Sequence, residues 1–208
     1  MENYLLFVFM SFLLIILPGP DTAVITKNTI VKKKAAGIQT TFGTLTALFI
    51  HTLAAVFGLS ALIVKSAFLF TILKYVGAVY LIYLGCKSIL YIMKKQPVTD
   101  QAPNQVNKYA NESNFKQGFL TNLLNPKVAV FFLTFLPQFA GTGEHAFIEF
   151  LALGLTYTIL TMIWFFVYIY LINFVSHFMK KPSTMKVMEG FTGGVLILFG
   201  VKLALEKN

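Results

Sequence analysis

YLLFVFMSFLLIILPGPDTAVIT, residues 4–26, runs apolar from Tyr4 to Leu17, meets Pro18-Gly19-Pro20-Asp21, and turns apolar again. A run of this kind at the start of a chain reads as a cleavable leader or as a membrane span. Glu2 stands where a leader carries lysine, and Pro18-Gly19-Pro20-Asp21 is not a small-x-small cleavage site, so the segment is expected to stay. Pro18 and Pro20 remove two amide donors and Gly19 adds freedom. The helix is therefore expected to stop before Pro18 and restart near Asp21, with the Asp21 carboxylate as its N-cap.

The rest of the chain agrees with a membrane reading. It has 208 residues, 57% of them hydrophobic and 12% charged, which leaves too little polar surface for a soluble domain of this size. At roughly 20 apolar residues per span there is room for about six helices. They fall at about Tyr4–Thr26, Ala36–Val64, Phe68–Met93, Gln117–Gly141, Phe147–Phe178 and Val187–Leu205. The expected fold is an all-α membrane protein of six transmembrane helices, helical because backbone amides in lipid must pair within the chain. The polar stretch from Lys94 to Lys116, with Pro97 and Pro103, reads as a connecting loop.

The net charge is +9, yet the lysines sit between apolar segments and form no stripe with exposed polar residues, so no nucleic-acid partner is expected. They read as topology signals instead. Twelve of the seventeen lysines follow segments one, three and five, whereas Lys65, Lys74, Lys202 and Lys207 mark the alternate connections and Glu144 lies between segments four and five. The positive-inside rule then puts the central loop in the cytoplasm and both termini outside. Cys86 is the single cysteine, so no disulfide, CxxC couple or zinc site is available, and no cofactor or metal is expected.

The two halves of the chain read as copies of one another. At an offset of 108 to 115 residues, Pro18 falls on Pro126, Gly43 on Gly154, and Gly85-Cys86-Lys87 on Gly200-Val201-Lys202. Three spans are an odd number, so a second copy lies upside down, giving two inverted three-helix repeats, 1–93 and 117–208, joined by the loop 94–116. Helices 1 and 4 are then both broken by proline motifs near the midplane and face each other. In the second break Asn125 suits the N-cap and Pro126 the first helical position.

Broken helices expose carbonyls and amides that hydrocarbon tolerates only where protein or a water-filled cavity satisfies them. Asp21 and Lys127 accompany the breaks, and a charge at that depth costs at least about 2.5 to 3.5 kcal/mol, so neither is expected to face lipid. Each should partner the other. A zwitterion could replace the pairing, its ammonium on Asp21 and its carboxylate on Lys127 and the amides near Asn125. The candidate substrate-binding residues are Gly19, Asp21, Thr22, Asn125 and Lys127, with Pro18, Gly19, Pro20 and Pro126 as the helix breaks. Asp21 and His51, which lies midway along segment two, are the proton-coupling candidates. Tyr80, Tyr83, Tyr157, Tyr168 and Tyr170 are cavity-lining candidates, none singled out.

LPGPD at 17–21, GTLTALFIH at 43–51, KYVGAVYLIYLG at 74–85, GFLTNLLNPKVAVFFLTFLPQF at 118–139 and GGVLILFGVK at 193–202 resemble the LysE/RhtB group of amino-acid exporters. The resemblance implies a bacterial inner-membrane exporter of amino acids or close derivatives, driven by proton antiport and alternating access. Asp21, His51, Asn125, Pro126 and Lys127 occupy motif positions, while Ala47 stands where similar proteins often have glycine. One acid and one base, both used by the zwitterion, favour a neutral side chain such as that of homoserine, threonine or leucine. The partners expected are the amino acid, protons and the lipid bilayer, with homo-oligomerisation left open. A cation or metal transporter of similar architecture is the alternative, although few carboxylates, histidines or thiols are present. HExxH, GxSxG and paired aspartates at depth are all missing, so an enzyme is not expected.

Overall fold

The computed structural model describes residues 4–59, 67–93, 112–140, 145–172, 174 and 181–205. Among them every regular element is helical. Lys65, Glu144, most of the central loop with Pro97 and Pro103, and the far ends of segments two and five lie outside the described residues.

Helix α1, Tyr4–Ile16, stops two residues short of Pro18. Helix α2, Pro20–Ala54, has Gly19 as its N-cap in extended backbone and Pro20 in its first turn, with no side-chain cap bond. The expected capping role of Asp21 is therefore corrected. A proline presets the helical φ and lacks the N–H that a first-turn residue cannot use. The helix thus starts one residue early, and the Asp21 carboxylate is left for another partner.

Along α2 the residue Lys33 is non-helical, at φ 72° and ψ 172°, a region that is almost exclusively glycine's and costs roughly 1–3 kcal/mol for other residues. The chain doubles back there. Asn28 Nδ2 donates to Thr40 Oγ1 at 2.8 Å across only twelve residues, which a straight helix would hold about 18 Å apart. The arm 20–32 therefore completes segment one, and the arm from residue 34 onward is segment two, ending in a π-helical turn at Ala55–Leu59.

Helix α3 is Ala67–Met93 and helix α4 is Asn114–Leu123, three residues ahead of the expected start of segment four because Ser113 caps Lys116 N there. Helix α5, Pro126–Val130, continues through a π-helical turn, Phe131–Phe135, and a 3-10 turn, Leu136–Phe139. Helix α6 is Ala146–Tyr170 and α7 is Pro182–Leu205. The stretch 20–58, which turns back at Lys33, contains a window apolar enough to cross a membrane, as does α6, and α4 with 126–139, bent by 49°, passes the same test as a pair. Large apolar side chains such as Leu5, Phe57, Ile148 and Leu198 are exposed around the outside, as a lipid-facing surface requires.

The core is aromatic. Phe7 of α1 sits 5.4 Å from Phe139 between ring centroids, and Phe131 sits 4.3 Å from Tyr157 of α6. Helix α2 packs most extensively on α4, α3 on α7, and α2 again on α6. The α2–α4 contact is made backbone to backbone. A Cβ on Gly43 would collide with the Phe115 carbonyl oxygen, and one on Gly118 with the Thr40 carbonyl oxygen.

Gly118→Ala is expected to lower stability by about 1–3 kcal/mol, the range for overpacking a tight contact. Gly194→Ala, where an added Cβ meets nothing within 4 Å, should leave stability unchanged or raise it by up to about 1 kcal/mol. Thermal unfolding of the two purified variants in detergent checks the contrast.

Candidate functional site

Both breaks follow from the same property of proline. In an α-helix the carbonyl of residue i bonds the amide of residue i+4, so Pro18 leaves the Leu14 carbonyl without its donor and Pro126 does the same to Asn122. At the second break Asn125 N donates to the Asn122 carbonyl at 2.9 Å, and Asn125 Oδ1 accepts from Lys127 N at 3.1 Å. Asn125 as N-cap and Pro126 at the first helical position stand as the sequence suggested.

At the first break the missing donor comes from the other half of the chain. Lys127 Nζ donates to the Leu14 carbonyl oxygen at 2.8 Å. The Asp21 carboxylate is answered in the same way: Oδ2 accepts from Asn122 Nδ2 at 3.2 Å and from Asn125 Nδ2 at 3.1 Å. Asp21 Oδ1 and Asn122 Oδ1 are buried with no hydrogen-bond partner. The Lys127 ammonium and the Asp21 carboxylate also attract each other across the space between the breaks.

That space is a cavity with about 30 Å³ open to water-sized molecules, room for about two waters. Gly19, Asp21, Thr22, Asn125 and Lys127 all line it, so the five substrate-binding candidates converge. Among the break residues, Gly19 is on the wall and Pro18, Pro20 and Pro126 are not. Leu14, Leu48, Val128 and Phe165 supply an apolar side, and Tyr157 and Thr161 of α6 close the space. One acid, one base and an apolar wall in a small enclosure suit a zwitterion carrying an uncharged side chain.

His51 stands apart from that wall. Its ring stacks on Phe132 at 5.5 Å between centroids, faces the backbone of Asn122 and Leu123, and keeps Nε2 buried without a partner. It touches the second break from behind. Of the tyrosine candidates, Tyr157 reaches the cavity, while Tyr168 bonds the Thr26 hydroxyl at 2.6 Å. Ala47 is fully buried.

Sequence reasoning missed Asn122, the second amide on Asp21, and the Leu14 carbonyl. Both stand four residues before a proline in the chain, which is the signal that could have found them.

The LysE type translocator family model matches residues 12–207. The uncharacterized membrane protein YrhP of Bacillus subtilis is 35% identical over 99% of this chain and 100% of its own. A leucine efflux protein of Salmonella typhimurium is 29% identical over 97% of this chain and 94% of its own. No solved structure matches the chain.

Asn125→Ala removes the cap on Lys127 N and one of the two amide bonds to Asp21, and is expected to cost about 1–2 kcal/mol. Asn125→Asp keeps the cap but sets a second carboxylate against Asp21, so it should not recover the wild-type melting temperature. Thermal shift measurements on both purified variants check this.

Proposed function

The chain belongs to the LysE type translocator family, and from that premise we propose that it is a secondary active exporter of small neutral amino acids in a bacterial inner membrane. The observation that carries the reading is the facing of Asp21, held by Asn122 and Asn125, and Lys127, held by the Leu14 carbonyl, on one cavity between two broken helices. A substrate ammonium takes the carboxylate, and a substrate carboxylate competes with the Leu14 carbonyl for Lys127. The side chain then meets Leu14, Leu48, Val128 and Phe165. Family membership supports a transporter in place of an enzyme, and the name of the Salmonella relative supports leucine as the first substrate to try.

The architecture proposed for this function is six spans in two inverted repeats, both termini outside, working by alternating access. Support comes from α3 and α7. A Cβ on Gly85 would lie 2.6 Å from the Gly193 carbonyl oxygen and 2.7 Å from Ile197 Cγ1. A Cβ on Gly200 would lie 2.8 Å from the Ala78 carbonyl oxygen and 2.6 Å from Ile82 Cγ1. Exchanging the repeats carries Gly85 onto Gly200, Gly193 onto Ala78 and Ile197 onto Ile82, so one contact becomes the other. Proton antiport, with Asp21 and His51 as the coupling candidates, completes the proposal. The small cavity fits a closed stage of the cycle, since about two waters occupy less room than an amino acid.

Cells loaded with leucine-containing dipeptides and expressing the protein are expected to release leucine faster than control cells. Asp21→Asn and Lys127→Met should each bring release down at least about tenfold, to the control rate, with the protein still present in the membrane fraction. Equal release with and without the protein across a broad amino-acid panel overturns the exporter reading, and full release by both variants overturns the site.

A further inference from the structure

A line of polar side chains leads from the cavity through protein that is otherwise apolar. On the second arm of α2, Thr40, Thr44 and Leu48 recur every four residues, and on α4 Gln117 and Thr121 do the same, so each set shares one helix face. Asn28 lies seven residues from Asp21 on the first arm of α2, about 10 Å along the helix. Its side-chain amide ties the three faces together, donating to Thr40 Oγ1 at 2.8 Å and to Gln117 Oε1 at 3.2 Å. Gln117 Nε2 in turn donates to the Glu112 carbonyl at 2.8 Å, at the lysine-rich end of these helices beside Lys32 and Lys116. The bonded part of the seam runs from Asn28 to Glu112, and Thr44 and Thr121, one turn beyond Thr40 and Gln117 on the same faces, carry it toward Leu48 and Asn122 on the cavity wall.

Two properties of the seam decide what it can carry. Its members are sealed from the surface, Asn28 at 1%, Thr44 at 0% and Thr121 at 3% exposure, yet Asn28 Oδ1, Thr44 Oγ1 and Thr121 Oγ1 have no hydrogen-bond partner. Thr40, Thr41 and Thr52 on the same helix bond back to the carbonyl one turn earlier, the usual resort of a buried threonine. Thr44 and Thr121 do not. Unpaired buried polar atoms are costly, and several in a row between a buried carboxylate and a polar surface mark a route for small polar species. The second property is width. Gly43 and Gly118 place the backbones of α2 and α4 in contact at this level, which shuts out an amino acid.

We propose that the seam through Thr121, Thr44, Thr40, Asn28 and Gln117 is the path by which protons travel between Asp21 and the lysine-rich face, separate from the path of the substrate. This rests on the exporter reading and on Asp21 as a proton-coupling residue. Protonated Asp21 gives its proton to a water held at Oδ1 and remains as the carboxylate. The proton then passes along waters held by the unpaired Thr121, Thr44 and Asn28 oxygens to solvent near Glu112. The groups facing Asp21 from the packed elements are Asn122 of α4, Asn125 at the N-cap of α5, Lys127 of α5 and Tyr157 of α6, with His51 behind Asn122. Of these only Asn122 adjoins the seam, at its inner end.

The test uses the full chain in lipid vesicles with labelled leucine and two assays. One is exchange of labelled for unlabelled leucine without a pH gradient, which needs no net proton movement, and the other is accumulation driven by a pH gradient. The double substitution Thr44→Val with Thr121→Val keeps shape and removes both hydroxyls. It should retain at least about half of wild-type exchange while gradient-driven accumulation falls about tenfold or more, and Thr44→Ser with Thr121→Ser should keep both activities. Accumulation within twofold of wild type in the valine variant overturns the proton path, as does a parallel loss of exchange and accumulation. Wild-type protein that moves leucine and the other amino acids of the panel in neither assay overturns the exporter reading, and the proton path with it.

Discussion

A carbonyl oxygen left without a donor inside hydrocarbon costs several kcal/mol, and this chain creates the conditions for two of them. Pro18 orphans Leu14, and Pro126 orphans Asn122. The remedies are what assemble the molecule around its centre. Lys127, just past the second break, reaches the carbonyl exposed by the first. Asn122 and Asn125, flanking the second break, turn their amides onto the carboxylate just past the first. The first interruption is completed by residues of the second, whereas the second closes on itself through Asn125 N and the Asn122 carbonyl. The groups that stabilise the fold are the same groups that line the cavity.

The surrounding structure keeps those bonds in an enclosed, shaped place. Phe7, Phe131, Phe135 and Phe139 pack together between α1 and the helix that follows Pro126, and Tyr157 joins them from α6 while also walling the cavity. The π-helical turn at Phe131–Phe135 and the 3-10 turn after it change the pitch twice within nine residues. Phe131, Phe135 and Phe139, four residues apart, point into the same cluster.

What could be read from sequence was what one strand of chain decides by itself. The proline breaks, the Asn125 cap with Pro126 behind it, and the lysine-rich turn between segments one and two depend on neighbours within four residues, and they stand. The Asp21 cap failed because Pro20, one residue earlier, is the better first-turn residue and the carboxylate found amides on another helix. Asn122 escaped notice because its value lies in a partner 101 residues away, and apolar periodicity carries no record of which helix lies opposite. His51 was legible as an ionisable residue at depth, but not as one behind the second break. Lys33 in a glycine-type conformation was not legible at all, since nothing in a row of three lysines says which of them turns the corner.

The backbone contact at Gly43 and Gly118 has a mechanical consequence. Side chains between helices act as a cushion over which one helix can slide or roll on another, and at Gly43 and Gly118 backbone meets backbone with little of it. The second arm of α2 and helix α4 must then travel together in any rearrangement, although one comes from the first half of the chain and the other from the second. A unit built on this contact is drawn across the two halves of the chain, and its edge does not follow the loop 94–116.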